Sequence, residues 1–395
     1  MGEPTPTTME GFTPAWLTDA LRATDTIGQG VTVAAVDWEI LGTGEGFMGE
    51  LARLTVRYEG GDGPATMIAK IPTQIEQNRA LGKSLGIYER EVRMYADLLP
   101  SLPTPTPRVY AAIYEANGDE ADVAAQAEKA EKLPVWVLRL ILKRQASDAD
   151  VPPAVLLLQD LAAEAEVGDQ VVGLPLNSVE DSLRSIARLH AATWSRAGLP
   201  DEHWMWDRSK TIKLAQAIYL NGRKETARVI APYMSPRTLD LLKSVKKTGI
   251  ERLRRMYAEQ PQCLQHGDYR PDNMFFDGDG NVASVIDWQG TNVGPAIFDV
   301  LYFLLSALEV DDPDAHADAL MRVYHDELVA NGVTDYPFEQ MMDHYEEMLL
   351  IFIHGMPLLV ANIDFGDGRG VELLAGNLRR FESLLQRVGA DAGRA

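Results

Sequence analysis

Between Ala52 and Tyr58 the chain alternates: Ala52, Leu54, Val56 and Tyr58 are interleaved with Arg53, Thr55 and Arg57. Period two marks a strand with one buried face. The apolar stretches Val31–Leu41 and Ala65–Ile71 read as strands on either side, the second set off by the turn Glu59-Gly60-Gly61-Asp62-Gly63. From Gln77 to Leu99 the pattern becomes helical, closed by Pro100 and by Pro103, Pro105 and Pro107, since proline cannot continue a helix. Arg108–Tyr114 and Ala154–Leu158 predict two further strands. Between them lies an Ala/Glu/Lys-rich run, Glu120 to Lys132, and then an apolar stretch, Val135 to Leu142, which together read as a mostly helical insertion over about 116–150. Beyond Gln159-Asp160-Leu161 the pattern is helical. Ser178 and the acidic turn after it are expected to open a helix to Trp194, with Leu183, Ile186, Ala187, His190 and Trp194 on one face. Further helices are expected over 209–220, 236–258, 313–331, 337–353 and 370–388. Residues 1–30 form an entry segment with one amphipathic helix near Pro14 to Arg22.

Strands first and helices afterwards suit an α+β chain, and 395 residues suffice for two domains. The net charge of −21 argues against nucleic acid as a partner, because phosphate binding needs a basic face. It would suit steering of a cationic ligand, but solubility is the preferred explanation, since net charge says little about one pocket. No apolar run approaches the length of a bilayer span, and the N-terminus has no basic-then-apolar signal, so no membrane partner is expected. Cys263 is the only cysteine, which excludes an intrachain disulfide and suits a reducing, cytoplasmic setting.

The chemistry concentrates in Leu264-Gln265-His266-Gly267-Asp268-Tyr269-Arg270-Pro271-Asp272-Asn273, followed shortly by Val285-Ile286-Asp287-Trp288. Transfer of a γ-phosphate from ATP needs this order. One carboxylate (Asp268) takes a hydroxyl proton, and an amide (Asn273) and a second carboxylate (Asp287) hold Mg²⁺. Each residue alone could be a turn former; the spacing makes the set informative. Gly44-Glu45-Gly46-Phe47-Met48-Gly49 matches G-x-G-x-x-G, a weak pattern by itself. A strand follows it instead of the helix a dinucleotide fold requires, so a glycine-rich hairpin over phosphates fits better. Lys70 is a charge inside an apolar strand, either a snorkelling edge lysine or a phosphate contact. Glu91 or Glu89 would be its helix partner; helical phase allows both, and Glu91 is preferred.

On these residues the chain resembles the aminoglycoside phosphotransferase and choline kinase-like family, with its ecdysteroid kinase-like and bacterial His-Gly-Asp-Tyr-Arg branches. By motif order the resemblance runs from about Val31 to the C-terminus. It implies a two-lobed protein kinase-like fold, with a small antiparallel-sheet N-lobe carrying a helix and a larger, mainly helical C-lobe. The expected division is an extension (1–30), an N-lobe (31–158) and a C-lobe (159–395). The family also implies that Gly42, Gly44 and Gly46 cover the ATP phosphates and that Lys70, held by Glu91, reaches them. Gln159 and Leu161 would lie at the hinge, and Asp299 would brace the active-site loops. Two departures are visible: Gln159 stands where relatives usually have Glu, and Gln289 follows Asp287-Trp288 where Glu is frequent.

The implied activity moves the γ-phosphate of ATP to a hydroxyl of a small metabolite or xenobiotic. Only a dozen residues separate Asp287 from Asp299, which leaves no room for a peptide-docking segment. The alternatives are an antibiotic kinase with an acidic acceptor pocket and a non-catalytic ATP-binding protein of kinase fold. The intact Lys70, Asp268, Asn273 and Asp287 speak against the last. Trp204 and Trp206, in a loop-like stretch, are candidates for an acceptor wall, while the other C-lobe aromatics are expected in the core.

Overall fold

A computed structural model describes residues 3–42, 48–116, 123–141, 151–308, 316–352 and 369–386. Elements expected at 43–47, 120–122, 142–150, 313–315, 353 and 387–388 lie outside the described residues. Contacts divide the chain into two compact units, and both run through separated stretches of sequence.

The first unit comprises Met1–Val123, Gln145–Ala165 and Val285–Gly290. Its strands β1 (Thr32–Leu41), β2 (Gly49–Glu59), β3 (Thr66–Pro72), β4 (Val109–Tyr114) and β5 (Ala154–Gln159) form one antiparallel sheet in the order β1-β2-β3-β5-β4. The alternation along β2 has the expected effect: Ala52, Leu54 and Val56 are buried. Helix α1 (Pro14–Ala23) starts where the Thr13 hydroxyl accepts the Trp16 amide, and proline occupies its first turn. Its Trp16, Leu17 and Leu21 join Met9 and Phe12 in the same core as the inward residues of β2 and β3. The Thr18 hydroxyl accepts the Val33 amide at 2.9 Å, so the entry segment is bonded to β1 as well as packed near it.

The helix expected over 77–99 is broken into α2 (Glu76–Ser84), α3 (Ile87–Arg93) and a π-helical turn, Met94–Leu98. Gly86 is the cause, since it stands between them at φ 62°, a left-handed conformation that glycine adopts without a Cβ penalty. Both Glu89 and Glu91 lie on α3, and both are buried.

The second unit comprises Ala124–Arg144, Glu166–Ser284 and Thr291–Ala395. It is mainly helical: α4 (Val123–Glu131), α5 (Val135–Ile141), α6 (Leu176–Ala192), α7 (Ile212–Ile230), α8 (Pro236–Glu259), α9 (Ile297–Ala307), α10 (Ala317–Ala330), α11 (Phe338–Phe352) and α12 (Arg369–Leu385). Strands β6 (Glu166–Val167), β8 (Met274–Phe276) and β9 (Val282–Val285) make a small sheet in the order β6-β8-β9, and β7 (Gln262–Gln265) pairs with β10 (Asn292–Pro295).

The insertion, which sequence order assigns to the 31–158 stretch, packs with the second unit. The Glu131 carboxylate accepts the Lys213 amide at the start of α7 (2.8 and 2.9 Å), and Arg139 donates to Asn221. Helix α6 begins two residues before Ser178, directly after Pro175. Ser178 is buried in its first turn, and Asp181 accepts the Val282 amide at 2.8 Å, tying α6 to β9.

Candidate active site

Lys70 lies on β3 between Leu51 of β2 and Leu156 of β5, so its ammonium emerges from the middle of the sheet. Nζ donates to Glu91 Oε1 and to Asp287 Oδ1, both at 2.7 Å. Between the two glutamates, Glu91 therefore partners Lys70. Glu89 faces Arg93 of its own helix, at 3.8 Å. Burial alone would depress the lysine, but Asp287 and Glu91 outweigh it and hold the ammonium above its ordinary range. Burial likewise pushes Glu91 up to about 7, against the pull of Lys70 and with help from the Asp287 charge. One cation thus serves two carboxylates in a desolvated place.

Asp287 reaches this cluster from a turn that returns to the first unit. The turn is anchored at both ends: the Val285 amide donates to Pro105 O, and the Trp288 indole, fully buried, donates to Val285 O at 3.1 Å. Arg90 of α3 adds a strap by donating to the carbonyl of Gln289 at 3.1 Å and to that of Leu85 at 2.7 Å. Asp287 itself sits at φ 65°, a left-handed conformation that Asp and Asn tolerate better than most residues. The side chain of Gln289 donates to Asp287 Oδ2 at 3.3 Å.

The second unit carries the loop between β7 and β8. Asp299, in the first turn of α9 and fully buried, accepts the amides of His266 (2.7 Å) and Gly267 (3.0 Å). It also meets His190 at 3.4 Å, and the other ring nitrogen of His190 bonds the Tyr324 hydroxyl at 2.8 Å. The His266 ring accepts the Asp268 amide, and Gly267 turns the chain at φ 81°. These bonds present the Asp268 carboxylate, which is engaged on both oxygens. Oδ2 accepts the Asn273 side-chain amide at 3.0 Å and pairs with the Arg270 guanidinium at 3.3 Å, while Oδ1 accepts the Tyr302 hydroxyl at 2.9 Å. Asn273 Nδ2 also donates to the Asp268 carbonyl at 2.9 Å.

The remaining sequence candidates fall in the first unit. Gly42 stands at the end of β1 with φ 63°; Gly44 and Gly46 lie outside the described residues. A Cβ on Gly49 would come within 2.9 Å of Lys70 Cε, so only glycine lets the two strands meet there without disturbing the lysine. Gln159 ends β5, where its side chain accepts the Arg108 amide and donates to Glu164. Leu161 is buried in the turn that follows, and Asp160 between them holds Arg53 at 2.7 Å.

The family model described as ecdysteroid kinase-like matches residues 43–333. The chain belongs to the ecdysteroid kinase-like family. No curated protein matches it in sequence. Among solved structures it is similar to a protein of Ralstonia eutropha JMP134 assigned to the aminoglycoside phosphotransferases, with 16% identity, TM-score 0.51, and 95% of this chain and 98% of that one covered. It is also similar to choline kinase from Cryptosporidium parvum Iowa II, with 10% identity, TM-score 0.53, and 94% of each chain covered. At such identities the likeness speaks for the fold: two-lobed, α+β, of protein kinase type.

In this ecdysteroid kinase-like chain, no group of three or more His, Cys, Asp or Glu residues forms a metal cage among the described residues. Mg²⁺ asks for less, since it keeps waters and takes one or two protein oxygens beside those of a phosphate. The donor chemistry fits. Asn273 spends its amide nitrogen on Asp268, which leaves the amide oxygen as its acceptor, and Asp287 supplies a hard carboxylate.

Several site residues have no place in the sequence motifs. Arg90 is hidden between the two competing glutamates, and Gln170 links the Arg270 side chain to Asn377 of α12. Tyr302 lies one helical turn beyond Asp299 on α9, a spacing that puts both on one face and could have flagged it. For Trp204 the expectation is corrected. Trp204 is 5% exposed and its indole donates to Glu202, because the loop folds inward beside β10, where Trp206 accepts the Val293 amide. The aromatic residue that meets Asp268 is Tyr302, whose ring packs with Phe298 and Phe352. Among the described residues no helix is long and apolar enough to cross a membrane.

Proposed function

We propose that the chain is an ATP-dependent phosphotransferase that moves a γ-phosphate to a hydroxyl of a small molecule. The observation that carries this reading is the buried Lys70 held by Glu91 and Asp287. A structural ion pair needs one carboxylate. A lysine with two, in a site from which burial should exclude net charge, is set up to exchange one of them for phosphate oxygens. In the loop between β7 and β8, Asp268 is oriented by Asn273, Arg270 and Tyr302, as an acid–base group must be.

The roles follow the chemistry of each group. Lys70 neutralises phosphate charge, and Glu91 keeps it in place. Gly42, with Gly44 and Gly46, would let backbone amides approach the phosphates, and Gln159 to Leu161 would border the base of the nucleotide. Asp268 orients the acceptor hydroxyl and takes its proton late in the transfer. Bound through the oxygens of Asn273 and Asp287, Mg²⁺ would supply positive charge against the β- and γ-phosphates.

The groups that meet Asp268 favour an acceptor with a flat, largely apolar body. Arg270 is cationic, and Tyr302 belongs to a cluster with Phe298 and Phe352 at centroid separations of 6.1–6.2 Å. ATP consumption with Mg²⁺ against aminoglycosides, amino alcohols, sterols and aromatic alcohols tests the reading, with Asp268→Ala as the blank. Turnover with aromatic or alicyclic alcohols is expected. Turnover retained in Asp268→Ala, or no binding of ATP at all, would sink it.

A further inference from the structure

A base strong enough to activate an alcohol will also activate water. Phosphoryl transfer to water wastes ATP, and the Asp268 side chain is 27% exposed, so water has access to it. Oδ2 is occupied from two sides by Asn273 and Arg270. Oδ1, the oxygen left for an incoming hydroxyl, is met by the Tyr302 hydroxyl at 2.9 Å.

That hydroxyl is rigidly mounted. The Tyr302 ring stacks on Phe298 with 9° between planes and a 6.1 Å centroid separation, and it packs on Phe352 at 6.1 Å. Phe352 in turn rests on the buried Phe381 of α12 at 5.9 Å, and the Arg208 guanidinium covers Phe298 at 4.9 Å. Helix α9 carries Tyr302 and also Asp299, which fixes the backbone of the same loop. One helix therefore sets both the position of the base and the occupant of its open oxygen.

Resting on the phosphotransfer reading, we propose that Tyr302 is a positioning residue that keeps Asp268 from spending ATP on water. Its hydroxyl takes one of the two acceptor positions of Oδ1 as a hydrogen-bond donor and holds the carboxylate in one rotation. An acceptor anchored by its own binding surface competes for Oδ1 with that binding energy behind it. A lone water has none and competes poorly for the position in line with the transfer.

In the suppressed reaction, the water oxygen bonds to the γ-phosphorus as the bond from that phosphorus to the β,γ-bridging oxygen breaks. ADP departs with the bonding pair, and the water proton passes to Asp268. Tyr302→Phe removes one oxygen and keeps the ring that the Phe298–Phe352 cluster grips, so the fold is retained. Acceptor-free hydrolysis of Mg·ATP should then rise by about tenfold or more, a fraction of what general-base catalysis can contribute. The KM for ATP should stay within about twofold of wild type, because the change alters only the groups around the base. Adding Asp268→Asn to Tyr302→Phe should return hydrolysis to the wild-type background. A merely structural role for Tyr302 would not raise turnover. Unchanged or lower hydrolysis in a Tyr302→Phe protein that binds ATP overturns the proposal alone. Failure of the wild-type chain to bind Mg·ATP overturns the phosphotransfer reading and this proposal with it.

Discussion

Lys70 Nζ lies 2.7 Å from a carboxylate oxygen of Asp287, 217 positions later in the chain, and equally close to Glu91 on α3. The cluster holds one positive and two negative charges, and the side chains are 13%, 21% and 6% exposed. Water therefore does little to stabilise an unbalanced charge there, and each member's energy depends on the other two.

Removing the cation should be costly. Lys70→Met leaves two carboxylates facing each other without a counter-charge, and breaking a buried pair in this way costs about 3–5 kcal/mol. The midpoint of urea unfolding should fall accordingly. Lys70→Met combined with Glu91→Gln removes the surplus charge and should recover much of the loss. A double variant no more stable than the single would show that the cluster's charge balance contributes little.

Glu91 makes stability depend on pH. Burial raises its carboxyl in the folded chain from an ordinary 4.5 to about 7, so the folded state holds a proton there that the unfolded state has released. Stability contributed by this group is therefore lost as pH rises from about 4.5 to about 7. Lys70, also raised above its ordinary value, has the same sign in a higher window: its contribution is complete below about 10.5 and is lost only at more alkaline pH. Glu91→Gln removes the first titration. The stability difference between wild type and Glu91→Gln should change across pH 4.5–7 and level off on either side. Urea titrations over that range measure it, and a constant difference would contradict the placement of Glu91.

Much of this cluster was legible in the sequence because its members belong to short, regular elements. Lys70 interrupts an apolar strand, and Asp287 follows one by two residues, so the apolar runs locate both. The loop between β7 and β8 announces itself through the spacing of Asp268 and Asn273. What escaped depends on contacts between distant segments. Arg90 looks like one more charge in a charged helix until the Gln289 carbonyl meets it. Tyr302 looks like core until its hydroxyl reaches Asp268. The break at Gly86 was missed because a single glycine inside a helical pattern is usually tolerated, and only its φ distinguishes a kink from a cost. Trp204 lies in a loop-like stretch, which suggests an acceptor wall, yet it packs inward beside Glu202.

Asp299 should be the most sensitive residue of the second unit that touches no substrate. Asp299→Ala strips the acceptor from the His266 and Gly267 amides, and each buried donor left unmet costs about 1–3 kcal/mol. Asp299→Asn can still accept one of them but turns an NH₂ toward the other, so it should lie between alanine and wild type in stability. Because the bonds hold the Asp268 loop, phosphoryl transfer should fall at least about tenfold in both variants. Nucleotide affinity, which the proposed function assigns to Lys70, should hold. Thermal unfolding with a fluorescent ATP analogue as ligand separates the effects; equal loss of affinity and turnover would mean that Asp299 supports the whole chain and not this loop.

Asp287 combines a backbone demand with a charge, and the two can be separated by substitution. At φ 65°, asparagine keeps the left-handed turn, whereas valine adds about 1–2 kcal/mol of strain. Asp287→Asn should therefore fold with little distortion while deleting one of the two negative charges at Lys70. Of the influences raising Glu91, burial remains and the Asp287 charge disappears, so the Glu91 carboxyl should move back toward 4.5. The pH window in which stability is lost should contract from its upper end, measured against Asp287→Asn/Glu91→Gln as the reference. If Asp287 also supplies an oxygen to Mg²⁺, wild type should bind ATP more tightly with Mg²⁺ than with a chelator, and the variant should bind alike in both. A narrowed pH window with Mg²⁺ dependence intact would make Asp287 a partner of Lys70 alone and move the search for the metal's carboxylate elsewhere.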